Sequence, residues 1–389
     1  MTHQNDYNLS GNMAELLLAN GLDGMPEILR IIVNAAMQAE REKHLQAGEY
    51  ERTEQRQGHA NGYKPKTVKT RLGNITFAIP QVREGGFYPS ALEKGLRSER
   101  ALTMTLAEMY VQGVSTRRVK AITEQLCGVS ISAMQVSRAI AQLDGVLQEW
   151  RERPLGEIRY LFLDARYEKV RDAGQLRDAA VLMATGINSE GFRQVLGISV
   201  SLSEQEQHWK TFLKSLKDRG LHGIQLIVSD DHGGLGSARR AVFGSIPWQR
   251  CHFHLQQNAG AYVPRQSMRA EVAADIRAMF NAPDRKTAEQ SLQAAISKYA
   301  TSAPKLSAWM EDQLAEGFTV FDFPVDHRRF IRTTNSLERV NKEIRRRTRV
   351  VGVFPNEASC LRLISAILME ISEDWQIGKR YCFSKSLDF

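Results

Sequence analysis

After Trp150 the chain presents three apolar runs in succession, "IRYLFLDARYEKVR", "AAVLMATGI" and "FRQVLGISV", the last two separated only by the turn-forming "NSEG". No helical period fits between them, and a parallel partner would need a crossover of a dozen or more residues, so these strands must form an antiparallel meander. The pattern then alternates. A helix at about 208–219 precedes the strand "IQLIVSD", a helix at about 234–243 precedes the short strand "WQRC", and another helix begins near His254. The order β-β-β-α-β-α-β-α gives one α/β sheet, with two later strands joined by helical crossovers and with the first and fourth strands as neighbours.

That order matches the ribonuclease H fold. Residues 259–332 interrupt it with helical patterns throughout ("EVAADIRAMF", "TAEQSLQAAISKYA", "LSAWMEDQLA"). The expected fold class is therefore an α/β ribonuclease H-like catalytic core, residues 151–258 and 333–389, with an all-helical insertion, residues 259–332. The terminal "EASCLRLISAILMEISEDW" places Leu361, Ile364, Leu368, Ile371 and Trp375 on one face and reads as a core-packing helix.

A mainly helical region precedes this core and is expected to bind DNA. Residues 1–50 read as a helical packing or pairing segment, with apolar positions from Leu16 to Met37. Residues 51–98 read as a basic linker with a hairpin, "KTVKTRLGNITFAIP", turning about its Gly-Asn pair and lined by Lys64, Lys66, Lys69 and Arg71. In residues 99–150, Ser115 can cap a helix over 116–126 that carries Arg117 and Arg118. The glycine of "CGVS" can turn the chain, and a second helix can start after Ser130 or Ser132. This is helix-turn-helix spacing, in which Ser132, Gln135, Ser137 and Arg138 would reach base edges or phosphates; an ordinary helical hairpin has the same pattern.

The charge balance agrees with a polyanionic partner. Over 389 residues the formal net charge is +8 and the pI about 9.3, while 42% hydrophobic residues suffice for packed domains. No apolar run approaches the roughly 18–20 residues of a membrane span, and the N-terminus lacks a basic start and a long apolar core, so a cytoplasmic protein with no membrane partner is expected. Cys127, Cys251, Cys360 and Cys382 form no C-x-x-C pair and read as reduced thiols.

Asp164 and Asp230 close apolar strands, where open α/β sheets place ligands. With no nearby base to neutralise them, two converging carboxylates call for a divalent cation. A third oxygen ligand can come from "RTTNSLERVNKEIRRRTRVVGVFPN". At 100° per residue, Leu337, Val340, Ile344 and Val351 form its buried stripe, with Glu338 on the flank beside Asn341, Arg345 and Arg349. Arg339, Lys342, Arg345, Arg346 and Arg349 would then face phosphates, and Glu343, on the other flank, would be a surface or salt-bridge acid. Each acid also has a plain reading: a turn residue for Asp164, a helix cap for Asp230, a pair with Lys342 for Glu338. Asp231 competes with Asp230.

"YLFLDARYEKVR", "IVSDDHGGL", "WQRCHFHLQQN" and the basic helix, with "NGY", "GVSTRRV" and "ISAMQVSR" upstream, resemble the signature blocks of the IS256 family of bacterial transposases, related to eukaryotic Mutator-like elements. The resemblance implies a DDE triad of Asp164, Asp230 and Glu338 binding two Mg²⁺ or Mn²⁺ ions, with the insertion ahead of the glutamate. It also implies a C-x-x-H pattern at Cys251 and His254. A zinc site there would lack a second ligand pair. Cys251 is instead expected to be buried, with His254 and Asn341 near the active centre. Such a protein would bind the terminal inverted repeats of its own element and target DNA and catalyse DNA transposition by strand cleavage and strand transfer. It would act as a homodimer or larger assembly, with residues 1–50 and 357–389 as candidate interfaces. A silent DNA-binding repressor and a structure-selective metal nuclease of the same fold are the alternatives.

Overall fold

The computed structural model describes residues 9–83, 86–92, 94–95, 97–202 and 205–382. Contacts divide the chain into residues 1–142 and 143–389. In the first unit, α1 (Leu9–Asn20) leads into α2 (Met25–Leu45), which has Pro26 in its first turn and stops where Gln46 turns left-handed (φ 53°). β1 (Ala60–Thr70) and β2 (Gly73–Val82) form an antiparallel hairpin. Ile75, Phe77 and Ile79 alternate onto one face of β2 and pack with Val68, Leu92 and Met37 of α2. The apolar side of α2 is thus spent on the hairpin, which is a packed element and not a linker.

The hairpin turns at Arg71–Leu72, two residues before the Gly-Asn pair favoured by the sequence pattern. Thr70 is the cause: its hydroxyl donates to the Gly73 carbonyl (2.8 Å) and accepts from the Leu72 amide (3.1 Å). Gly73, at φ +108°, then starts β2. Three helices follow, α3 (Arg100–Val111), α4 (Thr116–Cys127) and α5 (Ala133–Ala141). Ser115 caps α4 by accepting from the Arg118 amide at 3.3 Å, Gly128 ends it at φ +61°, and Ser132 forms a capping box with Gln135. Two capped helices joined by a short turn are present in this stretch, and the second starts from Ser132, not Ser130.

The second unit opens with α6 (Asp144–Glu152), before the sequence boundary at 150/151. The shift has a specific cause: Arg362 donates to Asp144 through two nitrogens (2.5 and 2.7 Å), and Arg151 donates to Ser365 (3.2 Å). These bonds tie α6 to the chain's last helix. The elements that follow are β3 (Ile158–Asp172), β4 (Gln175–Asn188), β5 (Arg193–Ser201), α7 (Glu206–Asp218), β6 (Leu226–Ser229), α8 (Gly233–Phe243), β7 (Trp248–Arg250) and α9 (His252–Ala259). Then come α10 (Arg269–Phe280), α11 (Arg285–Tyr299), α12 (Pro304–Gln313), α13 (Val325–Ile331), α14 (Asn335–Val351) and α15 (Glu357–Gln376).

The five-stranded sheet has the order β5-β4-β3-β6-β7. β3, β4 and β5 pair antiparallel; β6 lies parallel to β3, and β7 parallel to β6. The first and fourth strands of the core are therefore neighbours, as the crossover rule requires. Leu161 and Leu163 on one face of β3 join Trp209, Phe212, Leu213 and Leu216 of α7 and Leu235 and Ala238 of α8. α15 packs against β5 and β3, burying Cys360, Leu363, Ile364, Ile367 and Leu368; Leu361, Ile371 and Trp375 are only half-buried, so the core face is rotated from the one first counted.

Two glycines fix the sheet's packing distance. A Cβ on Gly186 would meet Ile158 Cγ2 at 2.6 Å, and one on Gly197 would meet Leu216 Cδ2 at 2.8 Å. Gly197→Val should therefore cost about 1–3 kcal/mol through overpacking, read as a lower denaturation midpoint at unchanged m-value. An unchanged midpoint would mean that α7 shifts freely on the sheet.

Candidate active site

The sequence pattern ends the first core strand at Asp164, but β3 continues to Asp172. The parallel partner stops earlier, at Phe162↔Val228, and beyond it β4 is the one strand paired with β3, joined near the end by a single bridge from Val170 to Phe354. Alternation sends Asp164, Arg166 and Glu168 to one face, which α14 covers. Arg166 donates to the main-chain carbonyl of Asn341 (2.7 Å) and pairs with Glu168 (2.5 Å), which accepts from Thr348 (3.1 Å). Beyond α14, the Phe354 amide donates to the Lys169 carbonyl and its carbonyl accepts from the Arg171 amide, each at 2.8 Å. The extension is thus a rail along which α14 lies.

Asp164 is at the head of that rail. Its Oδ2 accepts from Asn341 Nδ2 and its Oδ1 from the Ala165 amide, both at 2.9 Å. Burial pushes its carboxyl up from the usual 3.8 to about 6, with nearby Asp230 adding to the rise, against the opposing pull of His254, the Ala165 amide and Asn341. The two aspartates thus lie within each other's field. The expectation that no base stands near them is corrected by Arg250, whose side chain is 5% exposed and whose guanidinium is 4.0 Å from Asp230, 3.4 Å from Asp231 and 2.9 Å from Glu316. It also donates to Gln313. A lone arginine in a strand of three residues carried no distinguishing pattern, so its role was not legible.

Arg250 belongs to a run in which each neighbour secures a different element. Gln249 donates to the Gly317 carbonyl (2.9 Å) and accepts from the Val320 amide (2.6 Å), holding the insertion. His252 Nε2 hydrogen-bonds the same Gly317 carbonyl at 2.6 Å while its ring stacks on Phe280 at 3.7 Å; burial lowers its pKa to about 4. Gly317 must be bare there, since a Cβ would meet Leu255 at 2.8 Å and Phe280 at 2.9 Å. Cys251 is fully buried, and its sulfur accepts from the Thr334 amide (3.3 Å) and hydroxyl (3.4 Å) just ahead of α14. Thr334 in turn accepts from the Glu338 amide at 3.1 Å. Cys251 thus helps set the start of the helix that carries Glu338.

His254 faces the carboxylates. Burial alone would lower its pKa, but the hydrogen bond and charge of Cys251 and the charges of Asp230 and Asp164 raise it to about 9. On α14, Leu337, Val340 and Ile344 are buried as the stripe requires, whereas Val351 is only half-buried and the stripe continues through Arg347 and Thr348. Arg347 is neutralised by Glu343 (2.9 Å) and Glu370 (2.6 Å). Glu343 is indeed a salt-bridge acid: its bonds to Arg346, then Arg347, hold it at a pKa of about 2 despite partial burial.

Among the described residues, no three His, Cys, Asp or Glu side chains are gathered closely enough to hold a metal ion. The donor chemistry nevertheless fits a hard cation. Asp230 Oδ1, Glu338 Oε1 and Asn341 Oδ1 are buried oxygens without a hydrogen-bond partner, and a buried acceptor left unpaired is costly unless something fills the role. Arg339, Lys342, Arg345, Arg346 and Arg349 are all exposed on α14.

The residues picked for DNA contact in the first unit divide into two groups. Lys64, Arg117, Arg118, Ser137 and Arg138 are exposed. Lys66 donates to Tyr88 (2.8 Å), Lys69 to the Ser130 carbonyl (2.6 Å) and Gln135 (3.3 Å), and Arg71 pairs with Glu99 (3.3 Å). Gln135 is also committed to the capping box, so these four side chains already have structural work. No described helix is long and apolar enough to cross a membrane.

Residues 1–378 match the family described as "Transposase, Mutator family". The chain is 59% identical to the transposase for insertion sequence element IS406 of Burkholderia multivorans, covering 94% of this chain and 95% of that protein. It is 43% identical to the ISRM5 transposase of Rhizobium meliloti (98% and 96% covered) and 37% identical to the transposase for IS256 in transposon Tn4001 of Staphylococcus aureus (92% of each). A chain of the simian T-cell lymphotropic virus intasome in complex with PP2A regulatory subunit B56 gamma overlaps 54% of this chain and 66% of its own at 11% identity. Its TM-score of 0.19 is too low to bear on the fold.

Because the fold raises the Asp164 pKa, ionisation opposes folding: the penalty is absent below pH about 4, grows between there and pH about 6, and is complete above. Asp164→Asn should stabilise the metal-free protein by roughly 3 kcal/mol at pH 7.5 and by little near pH 4. Thermal unfolding at the two pH values checks this; no gain at pH 7.5 would mean that Asp164 is not held at the cost of stability.

Proposed function

Because the chain belongs to the Mutator family of transposases, we propose that Asp164, Asp230 and Glu338 are a DDE triad on a ribonuclease H-like core, holding two Mg²⁺ or Mn²⁺ ions for DNA cleavage and strand transfer. The observation that carries the reading is the set of unpartnered buried oxygens on Asp230, Glu338 and Asn341, beside an Asp164 that Asn341 already clamps. Bound divalent cations lower the pKa of coordinated water and offset charge on a phosphodiester. The remaining work falls to the chain's own side chains.

Asn341 orients the Asp164 carboxylate, and Thr334, seated on Cys251, fixes the turn from which Glu338 projects. The charges of the two aspartates favour the protonated form of His254, and the Arg250 guanidinium lies 4.0 Å from Asp230. The exposed cations of α14 line up the DNA strand by its phosphates. In the first step a water oxygen attacks phosphorus at an element end, and the departing oxygen leaves as a 3′-hydroxyl. In the second that hydroxyl attacks a target phosphodiester, forming the new strand junction as the target's own 3′-oxygen departs. Neither step needs a covalent bond to protein. α4, α5 and the hairpin would recognise the terminal inverted repeats, with Arg117, Arg118, Ser137 and Arg138 toward DNA, and the need to pair two ends favours a homodimer or larger assembly.

Glu338→Gln keeps shape and removes charge. It should cut joined product by at least about 100-fold on a labelled element end while leaving end binding unchanged. Equal strand transfer by the two proteins would remove Glu338 from the triad.

A further inference from the structure

A cleft in the first unit has no place in the foregoing. It has a volume of about 970 Å³, at the upper end of the roughly 300–1,000 Å³ usual for ligand sites, and lies between the end of α2, residues 46–59 and the start of β1. We propose that this cleft takes phosphodiester groups of DNA. The inference rests on the reading of the chain as a DNA transposase and adds a contact surface separate from α4 and α5.

Arg41 is the first reason. It is only 3% exposed and lines the cleft, donating to the Tyr63 hydroxyl at 3.1 Å with its guanidinium 4.9 Å from the centre of that ring. Among the described residues it has no carboxylate partner. A buried cation without a counter-ion is costly, and an anion entering the cleft would supply one.

The rest of the lining agrees in sign. Arg56 spends its hydrogen bonds on the carbonyls of Gly58 (3.1 Å) and Glu51 (2.5 Å), which fix its place without neutralising it. Arg52 and Arg83 are exposed on the lining, whose carboxylates are Glu42 and Glu49. Glu51 does not line the cleft, and its carboxylate accepts from the Gly48 amide at 2.8 Å.

Shape favours a nucleic-acid strand over a small anion. Tyr50, also on the lining, is 91% exposed and held left-handed at φ 61°, a conformation a bulky residue seldom adopts, and it offers a flat face for a base or sugar. The register shift between Ala60 and Tyr63, with Gly62 at φ +71°, bends the start of β1 where Tyr63 meets Arg41. The neighbouring Lys64 is exposed and continues the positive track along the hairpin.

The test is a salt titration of full-length protein binding to a labelled duplex carrying an element end and to a scrambled duplex. The double variant Arg52→Gln/Arg83→Gln changes only exposed side chains. It should make the slope of log K against log salt shallower by about two, equally on both duplexes, because phosphate contacts carry no sequence. Arg41→Met should remove about one more, and Arg41→Lys should restore it. An unchanged slope in the double variant overturns the proposal, as does a labelled mononucleotide that binds as tightly as the duplex. Loss of preference for the element end in the wild type would instead count against end recognition, and the cleft assignment would stand if the slope still moved.

Discussion

The docking of α14 on β3 is the contact on which the site depends. A helix this basic has little reason to lie on a sheet, and its apolar stripe is short: Leu337, Val340 and Ile344 are buried, then Arg347 and Thr348 occupy the same line. Polar bonds continue what the stripe begins. Arg166 holds the Asn341 carbonyl, Glu168 holds Thr348, Glu370 neutralises Arg347, and Phe354 closes the far end against Lys169 and Arg171. Each buried charge is paired, so removing one partner would leave the other exposed to the full desolvation cost. The same registration places Asn341 against Asp164 and Glu338 one turn before it.

The segment Gln249–His254 is the second organiser. It reaches the insertion through Gln249 and His252, the second aspartate through Arg250, the start of α14 through Cys251, and the first aspartate's field through His254. A six-residue stretch at the end of the shortest strand thereby couples the helical insertion to both sides of the site. Conservative changes at Gln249 or Cys251 would be felt at carboxylates they do not touch. The raised pKa of Asp164 marks the expense of this arrangement, since the fold holds a carboxylate where ionisation is unfavourable.

Much of this architecture could be read from the sequence because hydrophobic period and turn chemistry are local. The meander, the crossovers, the adjacency of β3 and β6, the caps at Ser115 and Ser132 and the buried side of α14 all follow from patterns within a few residues. The misreadings arose where distant partners decide. β3 passes Asp164 because α14 covers its polar extension, and alternation alone gives no sign of that cover. Lys69 and Gln135, both picked for DNA contact, also bond to each other across 66 residues, a pairing that no local pattern reveals. Arg250 and Arg41 were overlooked for the same reason: burial of an arginine is a property of the fold around it, not of its neighbours in the chain.

The central claim is that β3, β6 and α14 together present one divalent-cation site. Anomalous scattering from Mn²⁺-soaked crystals of the wild-type protein tests it most directly. The account predicts manganese peaks bounded by Asp164, Asp230 and Glu338, with Asp230 drawn away from Arg250. Peaks confined to other carboxylates, or a triad that stays apart at saturating manganese, would contradict it.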